Sequence, residues 1–196
     1  MKHLPQCSSI LPQHGAFCCQ TQVGPPPRLI PTDMQLPRAQ WREWLCLYPP
    51  DEIHFDEVNY GNGNLKALIA PHAPAYTLAH PHYYTASQLV LITSQMCYIL
   101  AGAALLDDDL PGLPRILYPI FMKRLRDTEI YYSGMQIAFR RKIPNDAQLT
   151  AFARMERTRV LRHLLVMQTA LSFADDSCVL DSTLVMPVEG EDGACQ

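Results

Sequence analysis

Two imidazoles and three phenols fall within nine residues, Tyr76-Thr77-Leu78-Ala79-His80-Pro81-His82-Tyr83-Tyr84. Histidine titrates near neutrality and is the usual general acid or base. Thr85 follows directly and is a natural N-cap for the proline-free run behind it. The first-turn N–H groups of such a helix have no intrahelical partner and sit at the positive end of its dipole, so they can polarise a carbonyl or hold an oxyanion. His82 is the preferred imidazole because it lies closer to the helix start than His80; the plain alternative is a pair of exposed loop histidines beside a proline. Tyr76 can orient a carbonyl or a water through its hydroxyl, or simply pack at a strand end.

Deeper in the same run, Ser94 and Gln95 are polar groups that a buried helix must satisfy, through a substrate, the neighbouring sheet or another subunit. Ser87 has no nucleophile-elbow context. Cys97 reads as a small core residue, and the spacing of His80 and His82 offers no third metal ligand.

Eleven of the 16 basic residues, with four acids, lie between residues 115 and 163, a local charge of +7 against −10 for the rest of the chain. The net charge of −3 excludes a globally basic nucleic-acid binder. The uneven distribution leaves room for a local anion site, for which Arg140-Arg141-Lys142 is the densest cluster, since guanidinium groups pair with phosphate and carboxylate in bidentate fashion. Basic side chains solvating the outer face of strands would give the same count.

These residues need positioning elements. Nine of the 17 prolines precede residue 51, and three of the seven cysteines, Cys7, Cys18 and Cys19, lie among them. Residues 1–37 therefore read as a tail, followed by one domain over 38–190 and a short C-terminal tail over 191–196. Cysteines without paired spacing suggest reduced thiols in a cytoplasmic setting. Trp41 to Tyr48 has helical spacing and stops at Pro49-Pro50. Glu52–Asn59 and Leu65–Ala70 flank Tyr60-Gly61-Asn62-Gly63-Asn64, a hairpin signal. From Thr85 to Leu106 the apolar residues cover nearly every face, which predicts a buried central helix. Its uninterrupted apolar stretch of 11 residues is short of the ~20 that a bilayer needs. The runs 116–125, 129–140, 148–159 and 160–173 read as strands, and Leu164–Phe173 with Cys178–Pro187 reads as a terminal antiparallel hairpin.

Early strands, a long apolar helix and then antiparallel strands make an α+β order in which a sheet wraps around the helix, the hotdog fold. Tyr60-Gly61-Asn62, Ala75-Tyr76, His82, Ala86-Ser87-Gln88-Leu89, Gln95 and Tyr98, with Phe139-Arg140-Arg141-Lys142-Ile143-Pro144-Asn145 further on, resemble the FcoT-type acyl-CoA thioesterases over residues 44–187. The resemblance implies a homodimer or higher assembly acting on acyl thioesters of coenzyme A or acyl carrier protein in lipid, polyketide or lipopeptide metabolism. No cofactor is implied beyond the pantetheine that the substrate carries. His82 matches the family histidine, and the family tyrosines carry over onto Tyr48 and Tyr76. Two family asparagines fall on Thr85 and Ser94, where this chain departs from the pattern. Hydrolysis is the leading expectation, with Thr85 and the tyrosines beside His82. Dehydration of a hydroxyacyl thioester or conjugate addition to an enoyl one keeps the fold and changes the reaction, but hotdog dehydratases pair histidine with a helix carboxylate and residues 85–106 contain none. A non-catalytic acyl-binding or carrier-docking module is the reading from another class.

Overall fold

The computed structural model describes residues 34–72, 81–107 and 117–188. Tyr76 and His80 lie outside the described residues. The segment read as tail ends in structure: Met34–Gln35 forms β1, paired with the next strand, and Leu36 is buried. The lead-in helix α1 spans Arg38–Glu43, earlier than the 41–48 that its apolar spacing suggests. Pro37 starts it, and the chain then turns through successive short-range bonds from Leu45 to Arg42 and from Tyr48 to Leu45. Trp41 and Trp44 are buried on either side of that boundary, so spacing alone could not locate the helix end.

A 3-10 turn over Pro50–Glu52 leads into the hairpin of β2, Phe55–Gly61, and β3, Asn64–Ile69, as the Asn-Gly turn predicts. Helix α2 spans Ala86–Leu106. Next comes a difference from the sequence reading: residues 117–126 form a helix, α3 (Leu117–Arg126), and not a strand. Leu117, Phe121 and Leu125 are buried at four-residue spacing, and Pro119 sits in the first turn, where its missing N–H costs nothing. Strands β4 (Tyr131–Phe139), β5 (Leu149–Leu161), β6 (Leu164–Phe173) and β7 (Cys178–Pro187) complete the chain. The expected break after residue 159 falls at Arg162-His163 instead, because β5 stays in register with β6 as far as Leu161.

All seven strands join one antiparallel sheet in the order β1-β2-β3-β5-β6-β7-β4, wrapped around α2 in the α+β hotdog arrangement. Alternate residues of the central strands, among them Ala151 and Ala153, Leu165 and Met167, Leu180 and Leu184, are buried in the one core that contains α2. The helix is long and apolar enough to cross a membrane by length and composition, yet most of it is buried within the protein. One of its polar side chains is met from across the core: the Cys97 thiol lies 3.3 Å from both Thr169 Oγ1 and Ser182 Oγ, and those two hydroxyls are 2.6 Å apart.

Helix α2 approaches Trp44 at Gly102, where an added Cβ would lie 2.5 Å from the indole. The ring cannot retreat freely, because its Nε1 donates to the Tyr118 hydroxyl of α3 at 3.0 Å. Gly102→Ala is therefore expected to overpack the core and cost about 1–3 kcal/mol. Chemical denaturation would show this as a lower midpoint at unchanged slope.

Candidate functional site

The site gathers at the first turn of α2. Thr85 is extended (φ −83, ψ 163) and closes a capping box: the Gln88 N–H donates to Thr85 Oγ1 at 3.3 Å, and the Thr85 N–H donates to Gln88 Oε1 at 2.9 Å. The box consumes the third N–H of the helix, leaving those of Ala86 and Ser87 for a ligand. Gln88 also donates through Nε2 to the His72 carbonyl at 3.3 Å, tying the end of the first hairpin to the helix start. On the other flank, the turn after β4 clamps the approach to the helix. The Tyr84 N–H donates to the Ile143 carbonyl at 2.8 Å, Asn145 Nδ2 donates to the Pro81 carbonyl at 2.8 Å, and Tyr83 bridges to Pro144.

A cavity of about 320 Å³ opens beside this first turn. Leu91, Ile92 and Tyr84 form its apolar side, Ser87 and Gln88 its helix side, and Asp51, Glu52, His54 and His72 face them. The two imidazoles stack at 3.6 Å between centroids and 22° between planes. Burial lowers the pKa of His54, and the neighbouring His72 lowers it further, to about 4 against the partial opposition of Asp51. Burial likewise lowers His72, with Glu52 opposing. Both rings are thus neutral at neutral pH and able to accept a proton. Gln95 lies beneath, fully buried, and donates through Nε2 to the Glu52 carbonyl at 2.9 Å, which pins the 3-10 turn carrying both carboxylates.

The depressed His54 pKa has a consequence for stability. The unfolded chain takes up this proton near pH 6.5 and the folded chain only near pH 4, so the stabilisation is complete above about 6.5 and is lost as pH falls towards 4. Denaturation midpoints measured between pH 7 and pH 4 should decline over that window, and His54→Gln should flatten the decline.

A second, more open cavity of about 570 Å³ lies on the far side of Tyr84, lined by Tyr83, Thr85, Ala86, Phe139, Arg140, Arg141 and Lys142. Tyr84 belongs to both cavities; it is buried, its hydroxyl donates to the Ala70 carbonyl at 3.3 Å, and burial pushes its pKa up to about 12. The basic turn is held by its backbone. The N–H groups of Arg140 and Arg141 both donate to the Ser177 carbonyl, at 2.8 and 3.1 Å. Arg141 also reaches the Asp175 carbonyl through its guanidinium at 3.0 Å, and Lys142 Nζ sits 5.4 Å from the Tyr83 ring centroid.

The structure therefore brings Thr85, Arg140, Arg141 and Lys142 together at one end of α2. Gln95 holds the 3-10 turn from behind. Ser94 Oγ donates to the Val90 carbonyl at 3.0 Å, while its own carbonyl accepts from the Tyr132 hydroxyl at 3.0 Å. Tyr48 lies against Ser94 in a phenol cluster, 6.1 Å from the Tyr98 ring, and Tyr98 is 6.2 Å from Tyr132. Burial raises all three phenols above their ordinary value, so they stay neutral. His82 is exposed and lines neither cavity. The sequence reading missed Asp51, Glu52, His54 and His72, although the hairpin already contained the clue. Phe55 pairs with Ile69, and the Ala70 N–H donates to the His54 carbonyl at 2.8 Å, which sets the two histidines at the open end of one hairpin. Among the described residues no group of three or more His, Cys, Asp or Glu side chains could hold a metal.

No protein-family model matches the chain, and no curated protein sequence does. Among solved structures it is similar to a thioesterase family protein from Silicibacter pomeroyi, at 11% identity and a TM-score of 0.45, covering 76% of this chain and 96% of that one. A hypothetical thioesterase from Streptococcus pneumoniae, crystallised with coenzyme A, aligns at 12% identity and a TM-score of 0.41, over 69% of this chain and 87% of that one. A Pseudomonas aeruginosa thioesterase aligns at 16% identity and 0.37, over 66% and 81%. At such identities and scores the case for function rests on the site itself.

Proposed function

We propose that the protein hydrolyses acyl thioesters of a phosphopantetheine carrier, coenzyme A or an acyl carrier protein. The observation that supports this is the division of the helix start: a basic groove on one side of Tyr84 and an imidazole- and carboxylate-bearing cavity on the other, with the free N–H groups of Ala86 and Ser87 between them. In this reading the phosphates of the carrier lie against Arg140, Arg141 and Lys142, and the acyl group enters the cavity along Leu91 and Ile92. The thioester carbonyl then meets the first turn, whose N–H groups and dipole stabilise the oxyanion.

A water in the cavity gives a proton to the neutral imidazole of His72 as its oxygen attacks the carbonyl carbon. Collapse of the tetrahedral intermediate breaks the C–S bond, and the imidazolium returns the proton to the departing thiolate. Glu52, whose charge already opposes the lowering of the His72 pKa, steadies the imidazolium. His54 stacks against the working ring and fixes its plane. The role first given to His82 passes in this proposal to His72, which faces the cavity.

One observation favours a second reaction on the same site. No carboxylate lies on α2, but Asp51 and Glu52 of the 3-10 turn line the same cavity as the imidazoles and act on them electrostatically, and dehydration of a hydroxyacyl thioester uses a histidine with a carboxylate. Incubation with saturated, hydroxyacyl and enoyl thioesters of coenzyme A and of acyl carrier protein separates the two. Hydrolysis releases free thiol, dehydration leaves the thioester intact at a mass lower by one water, and binding without either change would overturn both in favour of a non-catalytic module.

A further inference from the structure

We propose that the far end of the β5–β6 hairpin is a docking surface for an anionic lipid layer. Strand β3 covers β5 only as far as Arg154, so among the described residues the last part of β5 has no strand on that edge. Along it and around the turn stand Arg157, Arg159 and Arg162, all exposed and none in an ion pair among the described residues. The nearest acid in the chain, Glu156, is already paired with Arg154. Between the arginines, Val160 and Leu161 are 46% and 44% exposed.

Charge alone would guard a free edge against strand addition. Such a guard does not explain two exposed aliphatic side chains at the same place. Side chains alternate along a strand, so Val160 and Leu161 point to opposite faces of the hairpin. A flat protein partner covers one face, whereas a hairpin end immersed among lipid headgroups buries both and sets a collar of guanidinium groups at the depth of the phosphates. Arg162 supplies a second argument. Its φ is 56°, a left-handed position that glycine or asparagine would occupy at lower cost, so the arginine stands there against the backbone's preference. The chain as a whole carries −3, which makes the attraction local and orients the molecule hairpin end first. Strand β5 begins beside the candidate site, where Leu149 pairs with Ile69, and its 13 residues place the hairpin end about 40 Å away. Docking there leaves the site accessible.

Co-sedimentation of the full chain with vesicles tests this. Binding is expected to phosphatidylcholine vesicles containing phosphatidylserine, to be negligible on phosphatidylcholine alone, and to disappear at about 1 M ionic strength, where the Debye length is about 3 Å. Each arginine replaced by glutamine should lower the partition coefficient about fivefold, and the three together about 100-fold. Val160→Ser with Leu161→Ser should weaken binding while leaving its salt dependence. Arg162→Asn is the sharpest variant: it should raise or preserve the thermal midpoint, since asparagine suits the left-handed turn, while still losing about fivefold in binding. Failure to bind anionic vesicles, equal binding by the triple arginine variant, or binding only to an acidic carrier protein would overturn the proposal.

Discussion

His72→Gln is expected to lower kcat/KM for acyl-CoA hydrolysis by about 10²- to 10⁴-fold, with most of the loss in kcat, because the substitution removes the proton acceptor and leaves the oxyanion donors in place. His54→Gln should cost less, since it removes the stacking partner that fixes the plane of His72 and not the acceptor itself. His82→Ala is the decisive companion, because His82 is exposed and lines neither cavity. Near-normal turnover in His82→Ala together with loss in His72→Gln would support the cavity pair. The reverse pattern would overturn the assignment of His72 and restore the histidine that the family resemblance points to. Circular dichroism and denaturation midpoints separate either result from unfolding.

The second large effect is expected in binding. Replacing Arg140, Arg141 and Lys142 together by glutamine should raise KM for acyl-CoA about 10- to 100-fold and change kcat little, since the groove holds the carrier far from the reacting carbon. The turn itself should survive, because it is held through the N–H groups of Arg140 and Arg141, which donate to the Ser177 carbonyl whatever side chains they carry. Acyl thioesters of N-acetylcysteamine lack the phosphates and should be hydrolysed equally by the wild type and the variant. Equal KM increases for both substrate types would mean that the groove shapes the cavity and does not bind the carrier.

Elements set by local chemistry were legible in the chain. The Asn-Gly turn marked the first hairpin, Thr85 marked the start of α2 as its N-cap, and period-two alternation marked β5 to β7. Helix α3 was not legible, because Pro119 hides the four-residue spacing of Leu117, Phe121 and Leu125 unless the proline is recognised as a first-turn residue. The basic triplet was legible as a dense cluster of positive charge, but its placement against the helix start depends on the Tyr84 N–H donating to the Ile143 carbonyl, 59 positions away.

What the amino-acid order determined by itself is the first hairpin, the start of α2, the later strands and the local excess of positive charge, since caps, turns and side-chain periodicity act over a few residues. What the tertiary structure decided is which titratable groups meet. His54 precedes the first strand of one hairpin and His72 follows the second, and only strand register stacks them at 3.6 Å. Gln95, 43 positions from Glu52 in the chain, directs the carboxylate-bearing turn to the same place. Proton transfer depends on separations of a few ångströms, and such separations are properties of register and packing that no local pattern encodes.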